Sequence, residues 1–168
     1  MSRAFINESE IGEGSDLPEL PLSEHPNYVT PHGLTLLRER LDQTRRRLAA
    51  IDPTAEGAPL EIGHAEREQR WLQARVMAAI PVSVPAAADR VGFGATVELV
   101  DQDGASHRYR IVGEDEADPD EGLVSWVSPL ARALDCARIG DSRTWQRPAG
   151  DLEVEVLAID YRTDPTPA

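Results

Sequence analysis

Few side chains in this sequence could do chemistry, and most of them stand alone. His25, His32, His64 and His107 are scattered without metal-ligand spacing, so no zinc site is read. Cys136 is the single cysteine, set among apolar residues at an expected helix end, and a buried structural thiol is expected there. No phosphate loop, dinucleotide fingerprint or nucleophile elbow occurs. What remains is charge. Arg45, Arg46 and Arg47, with Arg67, Arg70 and Arg75, could make one side of a helical region basic and turn it toward RNA or an acidic partner. The plainer reading is a solvated face paired with nearby Glu. Glu114, Asp115, Glu116 and Asp118 form an acidic loop upstream of a Ser128-Pro129 step.

The overall balance narrows the partners. The 168 residues carry 30 acids against 17 basic groups, a formal charge of -13. Such a chain is disfavoured for sequence-independent DNA binding, which needs a basic surface to displace counterions from phosphates. It suits a partner with a basic surface or channel. Every basic residue is Arg. The first residues are too polar for a signal peptide and no apolar run approaches a membrane span, so a cytoplasmic protein without membrane contact is expected.

The elements that must hold these residues fall into two patterns. Residues 1–27, rich in Gly, Ser, Pro and acids, predict a flexible tail. Thr30 can cap a helix that Pro31 opens, and Leu34, Leu37, Leu41, Thr44, Leu48 and Ile51 follow at steps of three and four, an a/d seam. Asp52-Pro53 stops it. A second helix is expected from about Gly63 to Ile80, ended by Pro81, with Ala65, Gln69, Leu72, Val76 and Ala79 as a weaker seam. The two would form an antiparallel helical hairpin, a coiled coil, over 28–81. Trp71 lies beside the seam and is expected to pack at its base or side rather than stack on a nucleotide.

Residues 82–90 read as a linker, and beyond them the period changes from helical to two. Ala95–Val100 and His107–Val112 alternate as strands across an Asp103-Gly104 turn; Leu123–Val127 is a third strand. Pro129 opens a short helix through Leu134, Ser142–Gln146 and Leu152–Tyr161 are further strands, and 163–168 should fray. Strands with one short helix against a face make an α+β domain.

Several segments, in order, resemble the GreA/GreB family of bacterial transcription elongation factors: Tyr28-Val-Thr-Pro-His-Gly-Leu, Val91-Gly-Phe-Gly-Ala-Thr-Val, Val112-Gly-Glu-Asp-Glu-Ala-Asp, Ser128-Pro-Leu-Ala-Arg-Ala-Leu and Ile139-Gly-Asp. The opening Met1-Ser-Arg-Ala-Phe and the Pro-rich lead to Tyr28 look closer to GreB-like relatives. The resemblance implies an FKBP-like C-terminal domain over 91–162 and a helical arm before it. It implies RNA polymerase as partner, gripped at the rim of its secondary channel, with nucleic acid contacted only inside that complex. Glu114, Asp115, Glu116, Asp118, Val127, Ser128, Pro129 and Arg132 would lie at that grip; Val127 stands where relatives are often polar.

In the family the arm enters the channel, and two tip carboxylates help hold a magnesium ion of the polymerase active site, the protein itself holding no cofactor. A second metal stabilises the attacking and leaving oxygens at a phosphodiester, and carboxylate oxygens suit magnesium. The factor would thus be no enzyme by itself; at most it stimulates cleavage of RNA by polymerase. At the tip the family pattern is Gly-Asp-Leu-x-Glu-Asn-Ala-Glu-Tyr, and this chain reads Ala55-Glu56-Gly-Ala-Pro-Leu-Glu61-Ile-Gly. Asp52, Glu56 and Glu61 are the nearby acids, with ordinary turn and capping duty as their plainer reading. The stretch from Tyr28 to Val91 is also short by roughly a dozen residues, about 18 Å of helix if all from one side. Polymerase binding is therefore the expectation, with stimulation of cleavage left open. A Rnk-like channel binder without cleavage activity is the related alternative. An FKBP-type peptidyl-prolyl isomerase is the alternative from another class, against which stands an aromatic content of 5 %.

Overall fold

A computed structural model describes residues 17–83 and 89–161. The chain divides into two compact units, one of residues up to His25 with Leu37–Ala78, the other of Pro26–Leu36 with residues from Ala79 onward.

The first unit is built on two helices. Helix α1, Pro31–Ala50, straddles the division. It begins where the sequence places it: the Thr30 hydroxyl oxygen accepts from the Gly33 amide at 2.9 Å, and Pro31 follows at the first position. Leu37, Leu41 and Thr44 are buried, with Leu48 and Ile51 half-buried, as the seam requires. Helix α2, Ala58–Met77, starts five residues before the expected Gly63. Gly57 takes a left-handed φ of 80° at the N-cap, and Pro59 in the first turn forfeits only an amide that would lack a partner anyway. Leu72 and Ala65 are fully buried. Glu68 accepts from Arg40 at 2.9 Å and from Arg47 at 2.8 Å. The Arg40 guanidinium lies 5.8 Å from the Trp71 ring, whereas Arg47 further along α1 shares a hollow with His64 further back on α2. Progress along one helix is retreat along the other, so the pair is antiparallel.

Part of the expected flexible tail lies on this unit. Arg67 donates to the Pro18 carbonyl, Arg70 pairs with Glu19 at 2.7 Å, and the Trp71 indole N–H donates to the Pro21 carbonyl at 3.1 Å. The prolines that argue against helix here leave their carbonyls free to accept bonds from α2. Residues 1–16, most of the linker (84–88) and the end expected to fray (162–168) lie outside the described residues.

Among the described residues the second unit holds two sheets. Strand β1, Asn27–Val29, pairs in parallel with β2, Ala79–Pro81, and the Val82 amide donates to the Val29 carbonyl at 3.0 Å. These strands were not legible as such: α2 stops at Met77 rather than Ile80 because Ala79–Pro81 are extended in this ladder. The larger sheet contains β3, Thr96–Asp101; β4, Ser106–Val112; β5, Leu123–Ser125; β6, Ser142–Trp145; and β7, Leu152–Asp160, in the order β5-β4-β3-β7-β6. All neighbours are antiparallel except β4 and β5. Helix α3, Pro129–Leu134, buries Leu130, Ala131 and Leu134 in the core with Val97, Leu99, Ile111, Val154 and Val156. Leu152, Val154 and Val156 point inward while Glu153, Glu155 and Leu157 are exposed, the period-two signature of a half-buried strand. The result is an α+β arrangement of helices and a curled mixed sheet.

Cys136 departs from expectation. It is a free, exposed thiol with φ of 57°. The Cys136 amide donates to the Val91 carbonyl and the Val91 amide to Ala137, so the left-handed step turns the thiol outward and puts Ala137 in the core.

Candidate functional site

The Ser128-Pro129 step sits at a corner between β5 and α3. The Trp126 amide donates to Val112, the Val127 amide reaches the Ser125 hydroxyl at 3.3 Å, and the Ser128 amide donates to the Ser125 carbonyl at 2.9 Å. The chain thus closes a tight turn before entering the helix. Ser128 is the N-cap of α3: its hydroxyl oxygen accepts from the Ala131 amide at 3.2 Å, and Pro129 takes the first helical position. Val127 and Ser128 are half-buried, while Pro129 and Arg132 are exposed on the same turn of helix. Ser128 therefore positions this corner, and Pro129 and Arg132 are the groups it presents.

The acidic loop is not one uniform surface. Glu116 is buried, and its carboxylate accepts from the Thr30 hydroxyl at 2.5 Å. A Cβ at Gly33 would meet the same carboxylate at 2.5 Å, so the glycine is what allows the acid to lie against the first turn of α1. Glu116, which the sequence groups with the acids near the grip, is thus turned inward, its negative charge at a helix N-terminus, where it is favourable. Asp118 is exposed but engaged locally, its carboxylate accepting from the Asp120 amide ahead of the 3-10 turn Pro119–Glu121. Glu114 and Asp115 are half-buried.

Beside the corner lies a cavity of about 320 Å³, lined by Tyr28, Phe93, Ile111 and Trp126, with Arg132 and Asp135 among its polar groups. The Tyr28 and Trp126 rings meet edge-on at 5.0 Å, and Tyr28 and Phe93 at 6.2 Å. Sequence reasoning missed this site. Low aromatic content argued against an aromatic pocket, yet three aromatics far apart in sequence converge here. Their common signal is position: each lies within a segment that carries the family resemblance or within two residues of one.

The acids expected at the tip do not converge. Asp52 is held in a local turn: its carboxylate accepts from the Thr54 amide at 2.9 Å and hydroxyl at 2.7 Å, and the hydroxyl bond, then the amide, keeps its pKa below the usual carboxylate range. Glu61 lies in the first turn of α2 and lines a shallow hollow with Arg47, Leu60 and His64; Glu56 is exposed in the loop before it. Among the described residues no three His, Cys, Asp or Glu side chains gather where they could hold a metal ion. The arginines of the helical unit are largely paired: Arg45 with Asp42, Arg47 and Arg40 with Glu68, Arg70 with Glu19. No helix among the described residues is long and apolar enough to cross a membrane.

Comparison with known proteins places these features in a family. The profile described as "Transcription elongation factor, GreA/GreB, C-term" matches residues 86–161. A transcription elongation factor GreB of Neisseria meningitidis serogroup B is 35 % identical over 157 residues, covering 83 % of this chain and 96 % of that protein. A transcription elongation factor GreA of Alkalilimnicola ehrlichii is 40 % identical over 152 residues, covering 79 % and 96 %. The GreB alignment is longer than the share of this chain it takes in, so this sequence is gapped against its relative. Among solved structures, GreA factor homolog 1 (Gfh1) of Thermus thermophilus aligns with a TM-score of 0.40 and 24 % identity over 80 % of this chain and 99 % of that one. On the strength of the sequence relatives, matched across nearly their whole length, the chain belongs to the GreA/GreB family of transcription elongation factors.

Proposed function

We propose that this protein binds RNA polymerase at its secondary channel through the corner formed by Val127, Ser128, Pro129 and Arg132, and regulates elongation from there. The observation that carries this reading is the construction of the corner. Ser128 locks the turn, Pro129 and Arg132 stand exposed on it, and an aromatic cavity opens alongside. An apolar cavity whose lining also includes Arg132 and Asp135 is suited to anchoring a protein surface, with Arg132 available to an acidic side chain of the partner. We read the domain as FKBP-like, a fold used here for docking. Nucleic acid is reached only within the polymerase complex, and the setting is the cytoplasm.

The same reading separates binding from cleavage. Help to polymerase in transcript cleavage needs carboxylates free to meet a magnesium ion of the polymerase site. Asp52 is already bonded to Thr54, and the exposed Glu56 and the first-turn Glu61 stand on different elements and gather with it into no metal-holding group among the described residues. The protein is thus a channel occupant that stimulates cleavage weakly or not at all, and it has no catalytic activity of its own. Binding to polymerase, measured with and without Arg132→Glu, tests the docking claim. Loss of affinity supports it, and unchanged affinity refutes the assigned corner.

The isomerase reading retains one specific observation, the aromatic cavity. A peptide-isomerisation assay separates the two, and turnover there would displace the docking account of the cavity.

A further inference from the structure

The best-defined recognition geometry outside the corner lies on α2. Arg67, Arg70 and Trp71 lie within two turns of that helix, Arg67 and Trp71 being four residues apart and so on one face. Each contacts the segment Leu17–Leu22, which is neither helix nor strand. Arg67 donates to the Pro18 carbonyl at 3.2 Å, Arg70 to the Glu19 carboxylate at 2.9 Å, and Trp71 to the Pro21 carbonyl at 3.1 Å. The two carbonyl anchors are three residues apart, and so are Leu17 and Leu20, both half-buried. A period of three is one turn of a polyproline II helix, the form that prolines pre-set. The helix therefore reads its own N-terminal segment as a peptide-binding domain reads a ligand: an indole N–H on a proline carbonyl, half-buried apolar side chains, and a guanidinium on an acid.

Two further features mark this face as a built site. The Arg40 and Arg75 guanidinium groups lie 5.8 and 5.9 Å from the Trp71 ring, which fixes the indole and surrounds it with positive charge. The Arg67 Nε–H is buried and has no hydrogen-bond partner among the described residues, so the segment leaves one donor of the face unused.

We propose that this face of α2 is a binding site for an extended, acidic, proline-containing peptide of another protein, and that Leu17–Leu22 occupies it in the resting chain. Tethering makes the internal segment a strong competitor, since an attached ligand acts at an effective concentration in the millimolar range. A free peptide gains access when the internal segment is released. This holds whether or not the corner at Ser128 docks polymerase, because the two use different residues.

The test uses the full chain and a fluorescent peptide of the sequence Asp16–Glu24, with binding read by anisotropy. Glu19→Arg sets the internal guanidinium against Arg70 and should raise affinity for the peptide by about three- to tenfold over the unaltered chain. Adding Arg70→Glu turns the site against the peptide's own Glu19 and should abolish that gain. Adding Trp71→Phe instead, which keeps a ring but removes the N–H, should also lower it. Glu19 and Arg70 are both exposed, and circular dichroism confirms the fold of each variant. Equal peptide affinity in the unaltered and Glu19→Arg chains would overturn the proposal, as would binding indifferent to Trp71→Phe.

Discussion

The hydroxyl of Thr30 donates to the carboxylate of Glu116, 86 positions along the chain, while its oxygen accepts from the amide of Gly33. One side chain therefore caps α1 and ties that cap to the loop between β4 and β5. The acid sits at the positive end of the helix dipole, and the glycine beneath it leaves the room it needs. An acid that the sequence groups with a docking loop is thereby held at the start of a helix.

Replacing Glu116 by Ala should accordingly destabilise the protein by about 1–3 kcal/mol, the cost of leaving a buried hydroxyl without its partner. Urea unfolding of Glu116→Ala, Thr30→Val and the double variant measures this. The double variant should lose less than the two singles together. Full additivity would show that the pair is not coupled. Polymerase affinity, measured on the folded protein, should be little changed.

Gly113 is a second constraint at β1. A Cβ there would come within 2.5 Å of the Tyr28 backbone carbonyl, and a backbone atom cannot swing aside as a side chain can. Gly113→Ala should cost about 1–3 kcal/mol from overpacking. A thermal melt within a degree of the parent would contradict that geometry.

Asp101 gives a pH dependence of known sign. The side-chain bond from His107 and then the Ala105 amide hold its carboxyl below the usual range. A pKa depressed by folding contributes stability above the unfolded carboxylate value of about 3.9 and loses it as pH falls through the folded value. Asp101→Asn should therefore melt below the parent near neutral pH, and the gap should close under acid conditions below about pH 4. A gap that stays constant over that range would exclude ionisation of Asp101 as its source.

Ser128 and Arg132 should separate stability from binding. Ser128→Ala removes the cap of α3 and should cost about 1 kcal/mol. Arg132→Glu, at an exposed position, should leave the melting temperature nearly unchanged while weakening polymerase binding by about tenfold. Chemical denaturation beside a polymerase pull-down with purified components distinguishes the two effects.

Much of this was legible in the sequence because local rules and tertiary structure agree. Thr30-Pro31, the seam through Leu41, the Asp103-Gly104 turn, Pro129–Leu134 and the alternation of Leu152–Val156 all read correctly. What escaped depends on distant partners. Ala79–Pro81 looks like a helix end until Asn27–Val29 pairs with it, and Pro18–Pro21 looks like free tail until α2 offers donors. Cys136 looks buried by its apolar neighbours, but a left-handed step decides otherwise. The acids of the loop shared one composition and met different fates, and no local pattern separates Glu116 from Asp118.

The most direct test of the docking account is a stalled, backtracked polymerase complex to which the protein is added, with binding and RNA cleavage followed together. Binding that Arg132→Glu weakens is expected, with cleavage at most slightly faster than polymerase achieves unaided. Absence of binding would contradict the docking claim. Magnesium-dependent acceleration abolished by Glu56→Gln or Glu61→Gln would contradict the separation of binding from cleavage.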